Sequence, residues 1–158
     1  MPHSYLSFDL FVEVVVPLHV TGVRTDGEIR LTSVHSAQIA SRTRRNDLAR
    51  RLGDANRAEV LAELQQADLA DDGPFELRLD ALLRLRVRGV RNRSSLNVRL
   101  ACVQGDGRAT QAGTGLMRLF GEETLADVRT AAVSVLESGV HHLEARRAGR
   151  AGRGAAHA

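Results

Sequence analysis

Arg84, Arg86 and Arg88 stand at every second position of LRLRVRGVRNRSSLNVRL, residues 83–100, followed by Arg91, Arg93 and Arg99. A guanidinium is a planar fork of N–H donors that matches a carboxylate or phosphate two bonds at a time, so such a comb is suited to anion recognition. A spacing of two puts these side chains on one face of a strand. Arg84, Arg86, Arg88 and Arg99 are therefore the candidate binding residues. The groups able to do acid–base or nucleophilic chemistry are less well placed. His3 and His157 are near the ends of the chain, and His141 and His142 are adjacent, which on a helix points them about 100° apart. His35, with Ser33 and Ser41 at the same parity, is the one catalytic candidate, and its plain alternative is a buried histidine satisfied by a carbonyl or hydroxyl. Cys102 is a nucleophile candidate whose plain reading is inert packing. No metal set and no cofactor motif is found, since GDGRATQAGTG lacks the strand-loop-helix setting and the ending of a phosphate loop.

The chain has 158 residues, 43% of them hydrophobic and 26% charged, which fits one soluble globular domain. No apolar run approaches the roughly 18–20 residues needed to cross a bilayer, so a membrane partner is not expected. The N-terminal stretch alternates apolar and polar residues without a basic leader, and there is a single cysteine, so a cytoplasmic protein is expected. All 22 basic residues are arginine. That is read either as anion recognition or as a bias of composition. The net charge of +3 hides a segregation. Residues 73–120 carry nine arginines against Glu76, Asp80 and Asp106, whereas residues 54–72 carry six acids against Arg57.

The elements that must hold these residues follow from periodicity. From Tyr5 to Thr21 the even positions are Leu6, Phe8, Leu10, Val12, Val14, Val16, Leu18 and Val20, while Ser7, Asp9, Glu13, Pro17 and His19 are odd. This predicts a long strand with one buried face, and Pro17, which has no N–H, predicts an edge or a bend there. Asp26-Gly27 predicts a two-residue type I′ hairpin, in which paired residue numbers sum to 53 and Ile29, Leu31 and His35 point inward. Between Asn46 and Leu69 the period becomes helical, with a break at Gly53-Asp54 that predicts two helices. Strand periodicity returns at odd positions from Phe75 to Val87 and moves to Leu96, Val98, Leu100 and Cys102 after an Asn92-Arg93 loop. That loop would set Arg86 directly opposite Arg99. A further strand is predicted around Ala112–Phe120 after an Asp106-Gly107 turn, with Gly113 and Gly115 inward. The apolar stripe Leu125, Val128, Ala132, Val135, Leu136 and Leu143 predicts a helix from Glu122 to about Arg147. The expected fold is α+β, in the order β-β-α-α-β-β-β-α, with a long-stranded antiparallel sheet packed against helices on one face. Residues 1–147 form the domain, and the arginine-bearing tail 148–158 is expected to be disordered.

The order of two strands, two helices and two strands resembles that of the tunnelling-fold pterin enzymes. That resemblance implies a histidine-rich metal motif, for which this chain has no matching residues. Met1-Pro2 is similar to the start of the tautomerases, which implies the Pro2 amine as a base once methionine is removed; their first strand is short, unlike this one.

The arginine face calls for an anion, and three sources are open: Asp9 and Glu13 on the outer side of the first strand, the acidic 54–72 helix of a neighbouring subunit, or an external polyanion. A solvated face that discourages edge aggregation is the plain alternative. One Tyr, four Phe and no Trp leave few stacking platforms for a nucleic acid. The leading expectation is a non-enzymatic binding or assembly protein, a homo-oligomer or the partner of an acidic protein. The alternatives are a small enzyme or ligand-binding protein with His35 in a pocket between sheet and last helix, and a binder of nucleic-acid backbone.

Overall fold

The computed structural model describes residues 5–39, 42–67, 71–95, 97–105 and 116–149, the stretch 139–149 by its backbone alone. Four strands, β1 (Tyr5–Thr25), β2 (Glu28–Ser36), β3 (Gly73–Asn92) and β4 (Val98–Gln104), form an antiparallel sheet in the order β2-β1-β3-β4. Two helices, α1 (Asp54–Gln66) and α2 (Glu122–Gly149), cover one face of it. The fold is α+β, as the periodicity predicts.

The central ladder joins β1 to all 20 residues of β3, from Tyr5 opposite Asn92 to Arg24 opposite Gly73. Even positions of β1 face odd positions of β3, so Val12, Val14, Val16 and Leu18 meet Leu85, Leu83, Ala81 and Leu79 on the helix-covered side. Each large apolar side chain buried there contributes about 1.5–3 kcal/mol. Val60 and Leu64 of α1 and Val128 and Ala132 of α2 close that core. Pro17 belongs to an interior strand, but β2 pairs with β1 only from Leu18 onward. The Pro17 carbonyl accepts from the Ala37 N–H, so its N–H-less nitrogen faces the side where β1 has just become an edge.

The predicted type I′ turn is present, with φ of 51° at Asp26 and 82° at Gly27. Pairing next to it follows the expected register, Thr25 with Glu28 and Arg24 with Ile29. A bulge between Thr21 and Gly22 then shifts it by one, so His19 faces His35 and Val20 faces Val34. A one-residue shift reverses every later side chain. Val34 therefore enters the core, and His35, expected inward, lies on the outer face. Gly22 permits the bulge, because a Cβ there would stand 2.5 Å from the Arg30 carbonyl oxygen and 2.7 Å from the Phe75 ring.

The same device recurs across the sheet. The β3–β4 register shifts between Arg88 and Gly89, where a Cβ would run into the Arg99 carbonyl. Val103 enters the core in place of Cys102, which comes to the outer face opposite Arg88. The connection is also longer than two residues. The Asn92 carboxamide accepts from the Ser94 N–H and hydroxyl, and the Asn92 N–H donates to Asn97, so β4 starts only at Val98. Arg99 then pairs with Val90 and Arg86 with Gln104, which overturns the expected Arg86–Arg99 opposition.

Two other expectations change. The first of the two predicted helices is a 3₁₀ turn at Arg44–Asn46 and a single turn closed by Leu52 N–H to the Leu48 carbonyl. Asp47 sets that turn by accepting the Ala49 N–H with the same oxygen that holds the Val34 N–H. Residues 116–120, predicted to end a strand, form turns in which Leu119 and Phe120 donate to Leu116. Met1-Pro2, His3, Ser41, Leu96, the Asp106-Gly107 turn, residues 112–115 with Gly113 and Gly115, and 150–158 with His157 lie outside the described residues, as do the side chains of His141, His142 and Leu143.

Where β4 ends, α1 takes its place. Asn56 is 2% exposed, and its carboxamide accepts the Arg84 N–H at 2.7 Å and donates to the Arg84 carbonyl at 2.7 Å and to the Leu52 carbonyl at 2.7 Å. One side chain thus reproduces the two bonds that a neighbouring strand would make.

Candidate functional site

The uncovered face of the sheet holds the arginine comb. Arg84 and Arg88 are exposed and Arg86 is half-buried, in the even row of β3, with Arg99 exposed on β4 beside Val90. The facing row of β1 carries Asp9, Phe11, Glu13 and Val15 opposite Arg88, Arg86, Arg84 and Leu82. Arg86 and Arg84 lean to their diagonal neighbours on β1. Arg86 donates through Nε and Nη2 to the two oxygens of Asp9 at 2.9 and 2.7 Å, a bidentate pair. That bond holds the Asp9 carboxyl below its usual range, with the Arg86 and Arg88 charges adding to it, and raises Arg86. Arg84 lies over the Phe11 ring, 4.6 Å from its centroid. Arg88 approaches the Cys102 sulfur at 3.9 Å. Of the three anion sources open from sequence, the chain itself supplies Asp9. Glu13, Arg84 and Arg88 are exposed and form no ion pair among the described residues.

A second cluster occupies the other end of this face. His19, 7% exposed, places Nε2 2.7 Å from a Glu76 oxygen, and Arg42 donates to the same oxygen at 3.1 Å. Arg42 Nη1 also lies 3.0 Å from His19 Nε2. An Nε2 that donates to Glu76 cannot accept from Arg42, so the carboxylate is the hub and the third contact is an approach of two donors. The hydrogen bond from His19, then its charge and that of Arg42, lower the Glu76 carboxyl. His35, buried beside His19, donates from Nδ1 to the Asn46 carbonyl at 3.2 Å. Ser33 is bonded to the Thr21 hydroxyl. His35, opposite His19, is thus on the face of the sheet away from α2, and not between the sheet and the last helix as expected. Among the described residues no group of three His, Cys, Asp or Glu is placed to hold a metal ion, and no helix is long and apolar enough to cross a membrane.

The comb reading missed the apolar residues between the charges. Phe11 is 44%, Val15 54% and Leu82 44% exposed, and Val15 is directly opposite Leu82. The signal was in the sequence, since all three stand at the outward parity of strands whose inward parity is already apolar. A strand that needs only one buried face has no use for them there. The long ladder brings Asp9, Phe11, Glu13 and Val15 together with Leu82, Arg84, Arg86 and Arg88. It leaves Arg99 at the edge of that surface and His35 in the other cluster. No family model, curated protein or solved structure matches this chain.

Proposed function

We propose that this is a non-enzymatic assembly protein whose uncovered sheet face packs against a second copy of itself. The observation that carries the reading is the arrangement of that face: an exposed apolar strip, Phe11, Val15 and Leu82, flanked by carboxylates on the β1 row and guanidinia on the β3 row. Such a face is self-complementary. A two-fold axis running along the strands between β1 and β3 lays the β1 row of one copy over the β3 row of the other. Glu13, which has no partner within its own chain among the described residues, then meets Arg84 of the second copy, which also lacks a carboxylate. Apolar burial supplies most of the affinity and the charges set the orientation. An acidic partner protein would meet only the arginine row and would leave Asp9 and Glu13 against like charge.

Sedimentation velocity across a range of concentrations tests this. The wild type is expected to dimerise. V15E/L82E is expected to be monomeric and still to unfold in one cooperative transition, because both side chains are exposed in the single chain. E13R and R84E should each weaken the dimer, and E13R/R84E should restore it. A wild type that stays monomeric at every concentration, or a double reversal that adds the two losses, would overturn the reading.

A further inference from the structure

The structure points to an anion site that the sheet face does not include, at the free edge of β2. There the 44–51 segment and the first turns of α1 frame a cleft of about 700 Å³. Five arginines line it: Arg30 from β2, Arg44, Arg50 and Arg51 from the connecting segment, and Arg57 from α1. Ile29, Leu31 and Leu61 supply apolar wall. Among the described residues the one acid in the lining is Asp47, and its carboxylate already accepts the Val34 and Ala49 N–H groups at 2.9 Å each. Arg57 donates to the Ala49 carbonyl, which fixes one wall. Arg30, Arg44, Arg50 and Arg51 are exposed and form no ion pair among the described residues. On the sheet face Asp9 and Glu13 stand among the arginines, whereas here no unengaged carboxylate does among the described residues.

We propose that this cleft binds a small molecule carrying two or more phosphate groups. Guanidinium forks bind phosphate oxygens in pairs, and several of them around one concavity favour a chain of phosphates over a single one. Among the described residues no aromatic side chain lines the cleft, so a base would find nothing there to stack on, and the phosphates carry the recognition. Thr32 stands at the rim with its hydroxyl 3.1 Å from that of Thr21. The signal lay in the sequence as the doublets Arg44-Arg45 and Arg50-Arg51, which the acidic balance of the neighbouring 54–72 stretch obscured. Folding sets Arg44, Arg50 and Arg51 beside β2 and Arg57, and no acid of the 54–72 stretch is among the described residues of the lining.

Isothermal titration of the full chain with inorganic triphosphate, pyrophosphate and orthophosphate is the test. Triphosphate is expected to bind one per chain, at least tenfold tighter than orthophosphate, with log affinity falling linearly in log salt. R30Q/R50Q, at two exposed positions outside the internal hydrogen bonds, should weaken it at least a hundredfold at an unchanged thermal midpoint. R84Q/R88Q makes the same change of net charge on the sheet face and should leave triphosphate binding unaltered, so this site and the assembly surface fail separately. Equal losses in the two double variants would reduce the effect to net charge and overturn the proposal, as would orthophosphate binding as tightly as triphosphate. A single-stranded oligonucleotide that displaces triphosphate at a lower concentration of phosphate groups would overturn the assignment to a small ligand.

Discussion

Asn56 stands in for a strand beyond the end of β4. Asn56→Ala removes three hydrogen bonds of 2.7 Å and leaves the Arg84 N–H and C=O without a protein partner beyond the end of β4. Deprived buried backbone groups cost about 1–3 kcal/mol each. Arg84 is at the exposed rim, so water restores part of that, and the net loss is expected near 3 kcal/mol. For a chain of this size this lowers the thermal midpoint by roughly 6–12 °C. Asn56→Asp sharpens the test, because it retains the acceptor for the Arg84 N–H but sets a carboxylate oxygen against the Leu52 and Arg84 carbonyls. Its loss should exceed that of the alanine variant at neutral pH and shrink on acidification, when the protonated oxygen can donate to a carbonyl. Urea denaturation with an unchanged slope measures both. An alanine variant within about 0.5 kcal/mol of wild type, or an aspartate variant as stable as asparagine at pH 7, would refute the view of Asn56 as a strand substitute.

Two further outcomes follow from the sheet. The Asp9 and Glu76 carboxyls are lowered in the folded chain, chiefly by hydrogen bonds from Arg86 and His19. Their contribution is therefore complete above the unfolded carboxylate range and is lost as pH falls through the lower folded values. Chemical denaturation at pH 7 and pH 3 should show a smaller acid loss in D9N and in E76Q than in wild type; an equal loss would remove these pairs from the account. Gly22→Ala and Gly89→Ala, each placing a Cβ against a neighbouring carbonyl and an aromatic ring, should each lose about 1–3 kcal/mol, read by the same method. A neutral result at either would mean that the bulge does not depend on glycine.

The sequence discloses what adjacent residues decide. Asp26-Gly27 specifies its turn through backbone conformations at those two positions, and the parity of β1 and β3 specifies their buried rows, because a sheet with one covered face sorts side chains by twos. The faces of His35 and Cys102 were lost one step later. Both follow a bulge, and a bulge depends on which carbonyl of another strand stands behind a glycine. Gly22 and Gly89 were visible inside strand patterns, where an isolated glycine marks such a site. The choice of residue skipped on the partner strand is set by the ladder. The pairing of Arg86 with Asp9 joins residues far apart in sequence, which local pattern does not reach. The length of the 93–97 connection came from the carboxamide of Asn92, not from a two-residue turn.

The β1–β3 ladder also sets a timetable. Its closest pair in sequence, Arg24 with Gly73, brackets the whole of β2, the 37–53 connection and α1, and its farthest joins Tyr5 to Asn92. At about 5–20 residues per second on the ribosome, β3 is finished roughly 3–13 seconds after β1. During that interval only the half of β1 beyond Pro17 has a local mate, in β2. The other half, with its alternating Leu, Phe and Val, must wait for a strand not yet made. Non-local pairing of this kind slows folding and leaves strand edges open to other chains. The most extensive pairing in the finished sheet thus waits for a strand made long after its mate, and the nascent N-terminal strand is where this protein depends on being kept apart from its neighbours.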